Sequence, residues 1–193
     1  MATWTAATAI PAGGLITSAW MTNITGAANF LGASGTSAKD LFFARQTTSQ
    51  SLTASSRGTA NRINWDTEDI DAANGHGTAT GVYMGYTAQA AGKYAIQASI
   101  PMTIGGATTD TIAVSFFKGT GGTGNTEMSG ARYSFPNQNS VSTFTYVTPV
   151  YIATVAAGEV IDIRVTPGYA GASTNAGTAN NIQPQVSIQW VGA

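Results

Sequence analysis

The chain has 193 residues and no cysteine; 9% of its residues are charged and 43% hydrophobic, with a formal net charge of -1. Its eight basic residues are scattered singly, so nucleic acid and anionic membranes meet no clustered counter-charge. The lack of thiols excludes disulfides, Cys-ligated zinc, iron-sulfur clusters and thiol nucleophiles.

An average soluble domain carries about 25% charged residues. A chain this poor in charge has little self-repulsion to keep copies apart, which favours a surface partly covered by symmetry mates or a larger assembly. Met1-Ala2-Thr3-Trp4-Thr5 lacks a basic region before an apolar run, and no stretch is long and apolar enough to span a bilayer, so synthesis and assembly in the cytoplasm are expected.

The first elements lie in residues 1 to about 34. Ile10-Pro11-Ala12-Gly13-Gly14 reads as a turn, Thr17 or Ser18 as a helix N-cap, and Trp20, Ile24, Ala27 and Leu31 recur at helical spacing before Gly32 and Gly35 end the pattern. A helix of about three turns is marginal alone in water, so its Trp20 face must pack on its own domain or on a partner. The expectation is an N-terminal anchoring arm with one short helix over residues 1–40, followed by a domain over 41–193.

From residue 41 the period becomes two. Tyr94, Ile96, Ala98, Ile100, Met102 and Ile104 alternate with polar residues, as do Ile112, Val114 and Phe116, then Ile161, Ile163 and Val165, then Ile182, Val186, Ile188 and Trp190. Weaker candidates at 41–46, 61–66, 79–86, 129–135 and 144–154 bring the number to about nine strands. No helix is expected after residue 35. The class is an all-β sandwich or barrel, with Gly119 to Gly124 and Gly168 to Asn181 as loops.

Few constellations suggest chemistry. Asp66, Glu68, Asp69 and Asp71 form the dense acidic cluster; their oxygens could hold Ca²⁺, but the EF-hand offsets are absent and a solvated loop is the plainer reading. His76 is the sole histidine, flanked by Gly75 and Gly77, and reads as an exposed or contact residue able to tune assembly between pH 5 and 7. Gly119, Gly121 and Gly124 match G-x-G-x-x-G, yet no apolar helical face follows, so a β–β loop is expected and no nucleotide cofactor. Asp110, Glu127, Glu159 and Asp162 are isolated carboxylates with surface or inter-subunit roles rather than the convergent pair that glycoside hydrolysis needs. Tyr133, Phe135, Tyr146 and Tyr169 are placed in or near loops, where they could stack on sugar. None of this makes an enzyme, and no cofactor or metal is expected.

Two resemblances follow. Trp4, Ala12-Gly13, Ile16-Thr17, Asn23 and Asn29-Phe30-Leu31 resemble the opening of many phage tail and minor structural proteins, with Trp20-Met21 in place of the usual small or acidic residues. Ala91-Gly92-Lys93-Tyr94-Ala95-Ile96, the turn Ala156-Ala157-Gly158-Glu159-Val160-Ile161 and the closing strand Ile188 to Gly192 resemble a C1q/TNF-type jelly roll; Ile63-Asn64-Trp65-Asp66, a polar loop to Asn74 and Tyr86-Thr87-Ala88 fit the order of its early strands. The resemblance implies a C1q/TNF-like jelly-roll β-sandwich and a homotrimer, with Tyr94, Phe116, Tyr151 and Trp190 as candidate interface residues. The N-terminal resemblance, joined to that trimeric type of β domain, implies a bacteriophage virion structural protein, a capsid-decoration or head-fibre protein. Trp4, Trp20, Ile24, Phe30 and Leu31 would anchor it to a major capsid or tail protein. A tail-associated receptor- or carbohydrate-binding protein, with a host surface glycan as partner, is the alternative.

Overall fold

Alternating side chains need two covers, and this chain supplies them by folding its strands into two sheets that face each other. A computed structural model of the chain describes residues 40–53, 61–77, 85–104, 111–121, 124–136, 142–168, 171–176 and 183–192. The expected arm, its helix and the anchoring candidates Trp4, Trp20, Ile24, Phe30 and Leu31 lie outside the described residues.

Eleven strands follow in order among the described residues: β1 (Leu41–Arg45), β2 (Thr67–Asp71), β3 (Gly85–Thr87), β4 (Gly92–Ile104), β5 (Ile112–Gly119), β6 (Thr126–Phe135), β7 (Ser142–Val147), β8 (Tyr151–Val155), β9 (Val160–Thr166), β10 (Ser173–Thr174) and β11 (Gln185–Gly192). One sheet has seven strands, ordered β10-β4-β11-β1-β2 with β7 and β8 also on β4; the other has four, ordered β3-β9-β5-β6. All the pairings are antiparallel, and the chain passes back and forth between the sheets as a jelly roll does.

The long strand β4 organises the larger sheet. Along one edge it pairs with β11 (Ala98↔Val186, Ile96↔Ile188) and then β10 (Met102↔Thr174); along the other it pairs with β8 (Ile96↔Tyr151) and then β7 (Ile100↔Tyr146). Between β7 and β8 Thr148 keeps the ladder closed: its N–H donates to the Ala98 carbonyl at 2.9 Å, and its hydroxyl accepts the Ala98 N–H at 3.0 Å. The alternation expected for Tyr94 to Met102 is the observed one, with Tyr94, Ile96, Ala98, Ile100 and Met102 all buried.

Core side chains arrive from both sheets. Phe42 stacks on Tyr86 across the sandwich at 4.9 Å between ring centroids, and Phe116, Ile161, Ile163 and Val165 fill the face opposite β4. Burying each such aliphatic side chain is worth about 1.5–3 kcal/mol of transfer free energy. Trp65 and Ile63 are enclosed as well.

Several expected elements shift. The 61–66 segment contributes only a bridge, Arg62 to Arg164, and the strand falls at Thr67–Asp71, in the stretch expected to be a polar loop. That strand is an edge, so it needs no apolar face and gives no period-two signal. The expected 144–154 strand is two strands, and the Gly168 to Asn181 loop contains β10.

Candidate functional site

The outer face of the seven-stranded sheet is built by register. With the even residues of β4 turned inward, Ala95, Gln97 and Ser99 point out, and pairing aligns them in rows: Leu41–Gln189–Ala95–Ile152, Phe43–Ser187–Gln97, and Arg45–Gln185–Ser99–Val147. Amides, hydroxyls and aliphatic side chains dominate these rows. Val147, Val150 and Ile152 are 51%, 56% and 52% exposed at the β7–β8 margin, with Ile70 and Val191 also open to solvent.

Charge on this face is sparse and partly neutralised. Arg45 makes a two-pronged contact with Asp69, its Nε at 2.7 Å and one terminal nitrogen at 2.9 Å, and it also donates to the Gln183 side chain at 3.0 Å. The Asp69 partner raises the Arg45 pKa above its ordinary value, so the guanidinium stays charged and paired. Phe43, Gln97, Ser99, Val147, Gln185 and Ser187 line a shallow groove at the centre. The result is a flat, charge-poor surface with exposed aliphatic side chains along one side, suited to covering by another flat surface.

The interface candidates from the sequence divide. Tyr94 and Phe116 are fully enclosed in the sandwich of a single chain, so neither side chain has surface left for a second copy. The Tyr94 hydroxyl, with a single proton to donate, lies within hydrogen-bond reach of both the buried Asp40 carboxylate and the Ala90 carbonyl, and burial with the Asp40 charge pushes its pKa up. Tyr151 and Trp190 are half-buried at the rim. The Tyr151 hydroxyl donates to the Ser129 carbonyl at 2.8 Å, and the Trp190 ring lies against Gly92 with its Nε1 donating to the Ala91 carbonyl at 3.3 Å. Val147, Val150 and Ile152 were missed. The signal for them was Val150-Tyr151-Ile152, where apolar residues fall on both faces of a half-buried strand.

The acidic cluster disperses. Asp66 accepts from the Thr47 N–H (2.6 Å) and hydroxyl (2.9 Å) and from the Thr48 N–H (2.9 Å), Asp69 pairs with Arg45, Glu68 meets His76, and Asp71 accepts the Gly75 and His76 N–H groups at 3.0 and 2.9 Å. Each carboxylate is committed separately. Among the described residues, no group of three or more His, Asp and Glu is placed to hold a metal ion.

Three expectations are corrected. His76 is buried rather than exposed: its ring lies 5.0 Å from Phe42 between centroids, its Nδ1 is 2.5 Å from Glu68, and its backbone bridges to Tyr86. Asp162 is not a surface carboxylate but is fully enclosed, 3.0 Å from the Arg62 guanidinium, with the Gly124 N–H donating to it at 2.6 Å and Arg164 beside it. Burial pushes its carboxyl up to about 6, against the pull of Arg62, Gly124 and Arg164. Tyr133, Phe135 and Tyr146 are strand residues packed on the core, not loop platforms for sugar; Tyr169 lies outside the described residues. The Gly119 to Gly124 stretch does join two paired strands, β5 and β6, as the β–β reading had it.

No protein-family model matches the sequence, and no curated protein matches it. Among solved structures the chain is similar to the globular domain of zebrafish complement 1qA protein, with 8% identity and a TM-score of 0.50 over 79% of this chain and 98% of that one. It is also similar to Eiger TNF from S. frugiperda (11% identity, TM-score 0.49, 80% and 92% covered) and to murine APRIL (8% identity, TM-score 0.49, 79% and 99% covered). The first of these, with the topology above, shows the fold: the chain is a C1q/TNF-like jelly roll. At such identity the likeness says nothing of activity or partner.

Proposed function

We propose, from the C1q/TNF-like jelly roll as premise, that the protein is a non-enzymatic structural component of a bacteriophage particle: a homotrimeric capsid-decoration or head-fibre protein. Residues 1–40 hold it to a major capsid or tail protein, and it resides in the virion. The observation that carries the assembly reading is the outer face of the seven-stranded sheet, where Val147, Val150 and Ile152 stand exposed on a surface of amides and hydroxyls with little charge. The low charge of the whole chain supports it, since so little repulsion opposes close approach of copies. The phage assignment is supported by the N-terminal motif from Trp4 to Leu31 and by nothing in the sandwich itself.

The test is mass in solution by light scattering for the full chain and for a chain starting at Asp40. A trimer from both places assembly in the jelly roll and leaves the arm free for docking. A monomer from both removes the trimer. Particle attachment is then read from the occupancy of purified particles by wild-type and Trp20→Ala protein; equal occupancy overturns the anchoring role of the arm.

A second reading, a tail-associated receptor- or carbohydrate-binding protein, is favoured by the groove at Phe43, where a half-buried ring sits among the Gln97 and Gln185 amides and the Ser99 and Ser187 hydroxyls. Aromatic faces with flanking amides suit a neutral sugar. Glycan-array binding lost in Phe43→Ala would establish it, and an array without hits would remove it.

A further inference from the structure

Asn74 and Gly75 are the single Asn-Gly pair in the sequence. Asn74 is exposed and holds φ at 53°, the left-handed region that asparagine tolerates better than most residues, while Gly75 is buried against the Tyr86 ring. In an Asn-Gly pair the glycine nitrogen meets no Cβ on its approach to the asparagine side-chain carbonyl, so this is the peptide bond most prone to rearrangement. Here that nitrogen is occupied: the Gly75 N–H donates to one oxygen of Asp71 at 3.0 Å, and the neighbouring His76 N–H donates to the other at 2.9 Å.

We propose that Asn74–Gly75 is a covalent modification site, a deamidation site gated by Asp71. When the clamp opens, the Gly75 nitrogen loses its proton and bonds to Asn74 Cγ, the Cγ–Nδ2 bond breaks, and ammonia leaves with that proton to give a succinimide. Water then adds to either ring carbonyl, giving aspartate or isoaspartate at position 74. While the clamp is closed, the carboxylate holds the attacking nitrogen in place, and its negative charge opposes loss of the amide proton. The product matters to the fold. An isoaspartate lengthens the backbone by one atom at position 74, two residues before His76, whose backbone bridge to Tyr86 joins the turn after β2 to β3 in the other sheet.

The experiment follows conversion of Asn74 by peptide mass spectrometry in the full chain at mildly alkaline pH, for wild type and Asp71→Asn, each native and in urea, with Asn74→Gly as the blank. Glycine takes a positive φ freely, so the blank keeps the turn. Native wild type should convert at least about tenfold more slowly than its unfolded form, because reaction waits on local opening. Native Asp71→Asn should approach the unfolded rate while its circular dichroism stays native. Equal native rates for wild type and Asp71→Asn overturn the gate, and equal native and unfolded rates for wild type overturn any protection. If Asp71→Asn does not fold, amide exchange on wild type decides: protected Gly75 and His76 N–H groups support the clamp, and exchange of Gly75 as fast as an open loop overturns it.

Discussion

At the scale of single residues, the polar side chains of this protein act mostly as clasps. Asp66 is the clearest. Burial raises its pKa, but donations from Thr47, Thr48 and Thr67 outweigh that and hold it below the ordinary value of 3.8. A carboxylate with a depressed native value stabilises the fold above its unfolded value, and that contribution is lost as pH falls through the native one. Asp66→Ala is therefore expected to cost about 1 kcal/mol at neutral pH, the worth of hydrogen bonds to a charged group reduced by solvent screening, with the gap to wild type narrowing well below pH 4. Urea unfolding of both proteins at neutral pH and in acid measures it; a gap that persists in acid would show that packing, not the charge, is at work. Such clasps were hard to read in the sequence. Asp162 alternates outward from Ile161 and Ile163, which reads as solvent, and only the folded chain brings Arg62 and Gly124 over it from distant positions. His76 gave the same false signal, because its glycine neighbours suggested an open loop where the fold packs Phe42 and Glu68 against the ring.

At the scale of elements, legibility follows burial. β4, β5, β9 and β11 each put alternate large apolar side chains on the core, so their period of two was visible even though β5 and β9 are buried on both faces, and the turn at Gly158 before β9 sits where the Ala-Gly pattern placed it, with φ at 82°. The edge strand β2 and the two-residue β10 bury too little to pattern their sequences. The split of β7 from β8 was hidden for another reason. Thr148, Pro149 and Val150 interrupt the strand, but Thr148 imitates ladder pairing with Ala98 through both its backbone and its hydroxyl. Thr148→Val keeps the shape and removes the acceptor for the Ala98 N–H, which is buried. The expected loss is about 1–3 kcal/mol, the desolvation cost of an orphaned donor, while Thr148→Ser retains most of the stability. Thermal denaturation of the two variants side by side checks this; a Thr148→Val protein as stable as wild type, with the loss confined to Thr148→Ser, would assign the effect to the methyl instead.

At the scale of the whole molecule, two features bear on assembly: the sheet face that stays exposed and the charge the chain lacks. A stable interface between copies needs about 800 Å² from each partner with an apolar centre and a polar rim. The β7–β8 margin supplies the apolar centre, and the Gln and Ser rows beside it supply uncharged rim. Ile152→Glu places a carboxylate there without touching the core, since Ile152 points away from Ala153 and Val155, which are buried. In the proposed trimer the substitution buries a carboxylate at three equivalent positions, one from each protomer, so association is expected to fall to single chains in light scattering while the far-ultraviolet circular dichroism is unchanged. Wild-type assembly should also survive high salt, because screening weakens charge pairs but not apolar burial. Val147→Glu provides the parallel reading from the neighbouring strand. Loss of the trimer in both variants fixes the face; a trimer that persists in both moves the interface elsewhere on the sandwich, and the half-buried rim residues Tyr151 and Trp190 become the next positions to charge.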